Sequence, residues 1–389
     1  RFVLSMGHVS MLLYSMLHLT KVQAVNRKYE TVGRPAVPIE EIKSFRQWDS
    51  RCAGHPEYRW TSGIEMTTGP LGTGVATSVG MAVSAKYLGA YFNRPDFEMF
   101  NFDVYALAGD GCMMEGVSSE AASLAGHLKL NNLCWIYDNN KITIEGSTSI
   151  AFSEDVATRF LAYGWNVTRV GDANDLDMLD RAFQTFRSTT DRPTLIIVDS
   201  HIAWGVPGKQ DTSHAHGEPL GWPAMKAAKE FYGCPNPDGK FEQCLFDGVY
   251  EHYQQGIGER GKKLRDTWMA KFAQYETKWP ELAGHMKAIQ RRELPVGWDG
   301  DLKPFPADPK GMAGRIASSK VLNMIAPKLP WLVGGSADLT PSTKTRMDFK
   351  IDGKEMAGDF QSGSYLGRNL HFGVREHAMG AILNGLALS

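Results

Sequence analysis

The chain has 389 residues, 43% of them hydrophobic, and its 42 basic and 43 acidic side chains give a formal net charge of −1. This length allows two domains with sizeable cores, and the near-neutral charge does not favour a nucleic-acid partner. The apolar stretches are shorter than the ~20 residues that a membrane helix needs, so no membrane partner is predicted. Five cysteines without a Cys-x-x-Cys pair indicate buried thiols in a reducing compartment, which predicts a cytoplasmic protein. The chain begins at Arg1 and stops at Ser389 inside a helical pattern, so we expect both ends to be truncated.

The N-terminal segment predicts a strand, a turn and a helix. Phe2-Val3-Leu4 is apolar, and a turn containing Gly7-His8 precedes an amphipathic run that continues to Thr20. Residues 21–38 are polar and are expected to form an extended loop before a helix at Ile39–Trp48. His55 lies in Gly-His-Pro, which cannot be helix interior, so it also belongs to a turn.

A glycine-rich loop follows. Thr67-Thr68-Gly69-Pro70-Leu71-Gly72-Thr73-Gly74 places three glycines around one proline, which predicts a rigid loop that other atoms can approach closely. Small residues then dominate Val75–Ala90, a pattern typical of a helix that packs tightly against another helix.

The next segment predicts a strand–helix–strand unit. Asp103–Ala108 and Leu133–Tyr137 are apolar strands, and Cys112–Leu130 has helical spacing. A right-handed crossover makes the strands parallel, so Asp110 and Asn140 emerge at the same edge of the sheet. A carboxylate and an amide oxygen at one edge suit a hard divalent cation that also binds a diphosphate. Taken separately, each motif is an ordinary turn.

The rest of the chain continues the βα pattern and then changes character. Strands are expected at 165–170 and 193–198, helices at 153–163 and 175–187, and helices packed outside the sheet at 246–292. Residues 295–309 contain four prolines and two glycines and predict a linker. A second domain begins near residue 310, with a helix at 312–325 and a strand at 331–335. Residues 343–369 support no prediction.

Four strings in this order resemble the transketolase family of thiamine-diphosphate enzymes. They are Thr67-Thr68-Gly69-Pro70-Leu71-Gly72, Gly109-Asp110-Gly111 with Asn139-Asn140, His216-Gly217-Glu218-Pro219-Leu220-Gly221, and Gly373-Val374-Arg375-Glu376-His377. The resemblance covers nearly the whole chain. It implies a doubly wound parallel α/β fold, with a diphosphate domain at 1–232, a helical extension and linker at 233–309, and part of a similar pyrimidine domain at 310–389.

The resemblance also implies site residues. The cofactor thiamine diphosphate would contact His8, Gly69, Pro70, Leu71, Gly111, Glu115, Asn140 and His216. The metal, Mg²⁺ or Ca²⁺, would be held by Asp110, Asn140 and the main-chain carbonyl of Ile142. Catalytic roles fall on Glu376, His216 and His55, and sugar-phosphate binding on His8, His55, His216, Arg315 and Ser342. Glu376 would hydrogen-bond the pyrimidine ring, be buried against it, and act across the interface of a homodimer.

The implied activity is the reversible transfer of a two-carbon ketol group between sugar phosphates, as in the pentose phosphate pathway. Three alternatives stay open at this point. The chain could catalyse another thiamine-diphosphate reaction, as a deoxyxylulose-phosphate synthase, a phosphoketolase or a dehydrogenase component. It could instead bind the cofactor without turnover. His214-x-His216 could also be a zinc pair, although a third ligand at a plausible spacing is not evident.

Overall fold

A computed structural model describes residues 1–351 and 353–389, and the side chains of all of these except Phe241 and Glu242. The strands are β1 (Phe2–Leu4), β2 (Gln23–Val25), β3 (Thr31–Pro35), β4 (Val104–Gly109), β5 (Leu133–Asn139), β6 (Asn166–Val170), β7 (Thr194–Asp199), β8 (Gly334–Ser336), β9 (Lys350–Ile351), β10 (Lys354–Glu355) and β11 (Asn369–His371). The helices are α1 (Met11–Leu19), α2 (Ile39–Lys43), α3 (Thr73–Phe92), α4 (Asp110–Met114), α5 (Gly116–His127), α6 (Val156–Ala162), α7 (Leu176–Ser188), α8 (Trp222–Phe231), α9 (Val249–Tyr253), α10 (Glu259–Lys278), α11 (Pro280–Arg291), α12 (Gly314–Ile325), α13 (Thr340–Thr343) and α14 (Glu376–Leu388).

The main sheet has five parallel strands in the order β1-β4-β5-β7-β6. Alternate residues of the central strands β5 and β7 enter separate cores. Trp135 and Leu195 pack on one face with residues of α3, α5, α6 and α14, while Cys134 and Ile196 pack on the other face with residues of α7. Since both faces of the parallel sheet are covered by helices, the central strands β4, β5 and β7 are mainly apolar and buried. The predicted doubly wound α/β fold is confirmed.

Helix α3 is the central helix of one face, and it lies in backbone contact with α14. A Cβ atom added at Gly80 would lie 2.1 Å from the Ile382 carbonyl oxygen, and one added at Gly385 would lie 2.1 Å from the Thr77 carbonyl oxygen. The Thr77 hydroxyl donates to the Ala381 carbonyl at 3.1 Å. Glycine is therefore required at both positions, and the predicted close packing of this helix against another helix is confirmed.

The second unit of the chain is smaller. β8 and β11 form a parallel pair in which Gly335 lies opposite Leu370, and β9 and β10 form a short antiparallel hairpin. Arg368 is 5% exposed, and its guanidinium donates to three carbonyl oxygens between residues 326 and 332. Burial lowers the pKa of Arg368, and the carbonyl oxygens accept from three of its five N–H donors.

Several local predictions are wrong. The expected loop at 21–38 contains the antiparallel hairpin β2–β3, and the helix expected at Ile39–Trp48 ends at Lys43. The helix expected at Cys112–Leu130 begins at Asp110 and is divided at Glu115, whose ψ of 132° is extended. Two of the five cysteines, Cys234 and Cys244, form a disulfide, whereas the other three are buried thiols as predicted. Among the described helices, none has the length and apolar character needed to span a membrane.

Candidate active site

Asp110 and Asn140 lie at the same edge of the sheet because the strands that precede them are parallel neighbours. Gly109, the last residue of β4, lies opposite Asp138 near the end of β5. Asp110 Oδ2 accepts a hydrogen bond from the backbone N–H of Lys141, next to Asn140, at 3.0 Å. The spatial convergence that the sequence predicts is therefore present.

The Asp110 carboxylate is buried and held from two sides. Its exposed fraction is 4%, and its Oδ1 accepts from the Tyr137 hydroxyl at 2.7 Å. Burial raises the pKa of Asp110, while the hydrogen bonds from Tyr137 and the Lys141 N–H act in the opposite direction. Burial and the neighbouring carboxylate also raise the pKa of Tyr137, so this phenol stays a donor. The result is an oriented carboxylate at the end of a strand.

The Asn140 side chain is oriented as well. Its amide nitrogen donates to Asp138 Oδ2 at 3.1 Å, and its oxygen accepts from the Ile142 N–H at 2.9 Å. Ile142 is bridged to Ser147 in an antiparallel turn that follows the strand. Since an amide oxygen has two lone pairs, Asn140 keeps one acceptor site after this bond. The Asp110 carboxylate thus lies beside the segment that carries the Asn140 amide oxygen, and Ile142 follows two residues later.

Three histidines gather at the same edge. The rings of His8 and His216 are stacked with centroids 4.8 Å apart. The His55 ring lies against Gly69 of the glycine-rich loop, since a Cβ atom added to Gly69 would be 3.6 Å from this ring. The pKa of His8 is lowered to about 4, mainly by burial and to a smaller extent by the nearby basic side chains His216, His55 and Arg46. Burial also lowers the pKa of His216. At neutral pH both stacked rings are therefore uncharged.

Two buried polar atoms in this region have no hydrogen-bond partner among the described residues. They are Nδ1 of His216 and Oγ1 of Thr68. Thr68 packs against Gly7 in the turn that carries His8, and a Cβ atom added to Gly7 would lie 2.8 Å from Thr68 Oγ1. Since buried polar atoms are nearly always paired, these two indicate a polar ligand.

The glycine-rich loop lies against the start of α4. A Cβ on Gly111 would lie 2.7 Å from Leu71 Cδ1, and a Cβ on Gly72, whose φ is +77°, would lie 2.7 Å from Glu115 Cβ. The Pro70 carbonyl accepts from the Thr73 hydroxyl at 2.7 Å and so closes the turn into α3. We call the residues His8, Thr68–Leu71, Asp110–Gly111, Asn140 and His216 the cradle.

The remaining predicted residues lie in the second unit and are not bonded to the cradle. Arg315, the second residue of α12, and Ser342, in α13, are both exposed. Glu376, the first residue of α14, is also exposed, and neither its carboxylate nor the Arg315 guanidinium has a hydrogen-bond or ion-pair partner among the described residues. The expected burial of Glu376 is therefore not found within one chain.

The start of α14 is instead anchored to α5 by residues that the sequence analysis missed. Glu120 Oε2 accepts from the Ala378 N–H at 2.8 Å, and Arg375 donates to the Ser123 hydroxyl at 3.0 Å. A carboxylate at a helix N-terminus is favoured by the free N–H groups there.

Among the residues that the structure describes, no group of three or more His, Cys, Asp or Glu side chains could hold a metal, so the zinc alternative for His214 and His216 has no support.

Comparisons with known proteins agree with this geometry. Residues 1–295 match the family model described as "Transketolase, thiamine diphosphate binding domain", and residues 310–389 match "Transketolase, pyrimidine binding domain". The chain belongs to the transketolase family. It is 45% identical to a transketolase of Geobacillus stearothermophilus and 44% identical to transketolase 1 of Saccharomyces cerevisiae, covering all of this chain and 54% of each relative.

Solved transketolase structures are similar over the whole chain. A Pichia stipitis transketolase mutant in complex with fructose 6-phosphate matches with a TM-score of 0.90 and 40% identity, covering 55% of that chain. Transketolase from Leishmania mexicana matches with a TM-score of 0.89 and 38% identity, covering 54% of that chain. This transketolase-family chain therefore carries the thiamine-diphosphate-binding domain and spans about half the length of these relatives.

Proposed function

We propose that the chain contributes to ketol transfer between sugar phosphates, and that the cradle binds thiamine diphosphate with a divalent cation. The observation that carries this proposal is the convergence of the His8–His216 pair, with its unpartnered nitrogen, on the edge that holds Asp110 and Asn140. Family membership favours this reaction over those of deoxyxylulose-phosphate synthases, phosphoketolases and dehydrogenase components. When bound, the cofactor supplies the nucleophile and electron sink for the transfer.

The donor set of the cradle fits a magnesium–diphosphate group. Asp110, the Asn140 amide and the Ile142 carbonyl offer oxygen ligands, which Mg²⁺ or Ca²⁺ prefers. Gly111, near the start of α4, lets backbone N–H groups approach a phosphate without a side chain in the way. His216 Nδ1 and the Thr68 hydroxyl are free to bond to the same group, and Gly69, Pro70, Leu71 and Glu115 would line its remaining surface.

The chain's own residues would then bind and orient the sugar. His8 and His55 border the cradle, and a neutral imidazole can donate one hydrogen bond and accept another, as substrate hydroxyls require. His216 would contact both cofactor and substrate. Arg315 and Ser342 would bind the sugar phosphate, where a guanidinium forms forked, charge-assisted hydrogen bonds.

Glu376 would act on the cradle of a second copy. Its exposure in the single chain leaves the carboxylate available to a partner subunit, and this supports a homodimer with the site at its interface. Burial in such an interface would favour the protonated form that a hydrogen-bond donor to a ring nitrogen requires. A cytoplasmic location and a place in the pentose phosphate pathway stay predictions.

The test is a donor panel with ribose phosphate as acceptor, comparing xylulose phosphate with pyruvate. We expect ketol transfer from xylulose phosphate only, and a loss of that transfer in Glu376→Ala. Turnover of pyruvate would contradict the proposed reaction, and normal transfer by Glu376→Ala would contradict the proposed role of Glu376. Because the chain spans about half the length of its relatives, the second candidate function is cofactor binding without ketol transfer. Binding of thiamine diphosphate with no transfer from either donor would select this second candidate.

A further inference from the structure

A second cavity lies outside the cradle, where the β2–β3 hairpin meets residues 58–65, the end of α11 and residues 386–389 at the end of α14. Its volume is about 930 Å³, which is within the range of small-molecule sites. The charged residues that line it are Arg1, Arg27, Arg34, Arg51, Arg59, Arg292, Glu65 and Glu293. Glu65 is already paired with Arg1 at 2.9 Å, and Glu293 lies 3.9 Å from Arg291. The wall therefore carries a clear excess of positive charge.

The arginines of this wall have few acidic partners. Among the described residues, Arg27, Arg34, Arg59 and Arg292 form no ion pair with a carboxylate. Arg292 donates instead to the Tyr58 hydroxyl at 3.0 Å and to the Ala387 carbonyl at 3.1 Å. Because guanidinium groups stay charged at all physiological pH values, the cavity presents several cations that have no ion-pair partner in the described part of the chain.

Neutral aromatic groups separate these cations. The hydroxyls of Tyr29 and Tyr58 are hydrogen-bonded at 2.7 Å, and the Arg59 guanidinium carbon lies 5.3 Å from the centre of the Tyr58 ring. Arg51 lies 4.2 Å from the centre of the Trp60 ring. These aromatic side chains thus position the guanidinium groups without forming ion pairs with them.

The hairpin that carries Arg27 and Arg34 is tied to the cavity wall. The Val25 N–H donates to the Ser62 hydroxyl at 3.0 Å. In the hairpin turn, Asn26 accepts from the Lys28 N–H at 2.8 Å and donates to Glu30 at 2.8 Å. Glu30, the acid of this turn, is thus engaged locally and does not line the cavity.

We propose that this cavity binds a small oligophosphate anion, either free or as part of a nucleotide. Several guanidinium groups without an acidic partner surround one space and match the several charged oxygens of such an anion, since a guanidinium can form two parallel hydrogen bonds with such oxygens. The inference does not depend on the function proposed for the cradle.

The experiment is a calorimetric titration of the full chain with inorganic tripolyphosphate, without divalent cations, and a parallel titration with ATP. Arg59→Gln with Arg292→Gln is compared with Arg260→Gln with Arg265→Gln, which removes the same charge from α10 outside the cavity. We expect the first pair to weaken tripolyphosphate binding at least about tenfold, and the α10 pair to change it less than about twofold. Tighter binding of ATP would identify a nucleotide as the ligand, and equal binding a free oligophosphate.

A second pair of variants separates this cavity from the cradle and guards against misfolding. Arg27→Gln with Arg34→Gln should also weaken binding, and His8→Ala with His216→Ala should leave it unchanged. Thermal melts check that each variant is folded. The proposal is overturned if wild-type protein does not bind tripolyphosphate, if the cavity and α10 pairs behave alike, or if only the histidine variants lose binding.

Discussion

Substituting Gly111 by alanine should separate ligand binding from stability at the cradle. The added methyl would lie 2.7 Å from Leu71 Cδ1, and outside its chain neighbours and the backbone of its own helix no other atom is closer than 4.0 Å. The contact is therefore with the end of a flexible side chain, which can move. The same methyl would occupy the space where, in our proposal, a diphosphate approaches the start of α4.

The expected change in the free energy of unfolding is small because two effects oppose each other. Alanine is favoured over glycine inside a helix by up to ~1 kcal/mol. Moving Leu71 away from its preferred rotamer costs about 0.5–1.5 kcal/mol. The two nearly cancel, so we expect a melting temperature within about 2–3 °C of the wild type. Binding should suffer more, because loss of one charge-assisted hydrogen bond costs ~1.5–3 kcal/mol, or about tenfold or more in affinity.

The assay is calorimetric titration of thiamine diphosphate in the presence of Mg²⁺, with a thermal melt of each protein. Gly116→Ala is the matched control, because Gly116 begins the next helix and a Cβ there meets nothing within 4 Å. We expect the control to bind like the wild type. Wild-type affinity in Gly111→Ala would refute the close approach, and a large loss of stability would refute the packing argument.

Three further predictions follow from the packing, the titration of a histidine and the thiols. Gly126→Ala should destabilise the fold by about 2–3 kcal/mol in urea unfolding, because its methyl would lie 1.9 Å from the Tyr163 carbonyl oxygen. Since burial lowers the pKa of His8 to about 4, the unfolded chain binds this proton near pH 6.5 and the folded chain does not. The free energy of unfolding should thus fall between pH 6.5 and 4, and less so in His8→Asn. Alkylation of unfolded protein should label three cysteines without reductant and five with it, because Cys234 and Cys244 are paired.

Each of these has its own control. Gly284→Ala, in α11, meets nothing within 4 Å and should be neutral or stabilising by up to ~1 kcal/mol. Equal effects of the two glycine substitutions would contradict the steric argument. Parallel pH profiles for wild type and His8→Asn would contradict the depressed pKa of His8. Five labels without reductant would contradict the disulfide.

The sheet could be predicted from the sequence because its strands are short apolar runs between recognisable turns. Asp110 and Asn140 were correctly placed together for the same reason, since parallel neighbouring strands end at a common edge. The β2–β3 hairpin could not be predicted in this way. All five residues of β3 are exposed, so burial imposes no alternating pattern on its sequence.

Other features depend on contacts that are distant in sequence. At the break between α4 and α5, Gly72 packs against Glu115, and no local sequence pattern records this contact. The Tyr137 contact with Asp110 had a weak signal, because a tyrosine in a buried strand needs a partner for its hydroxyl. The disulfide between Cys234 and Cys244 had no signal in the sequence, since two cysteines ten residues apart fit a disulfide or two thiols equally well.

The most direct test of the central claim is titration of thiamine diphosphate with and without Mg²⁺, on the wild type and on Asp110→Asn. The variant keeps the shape of the side chain and removes its charge. We predict that Mg²⁺ strengthens cofactor binding strongly in the wild type and has little effect in Asp110→Asn. Binding by the wild type that is independent of Mg²⁺, or an unchanged Mg²⁺ dependence in the variant, would contradict the account.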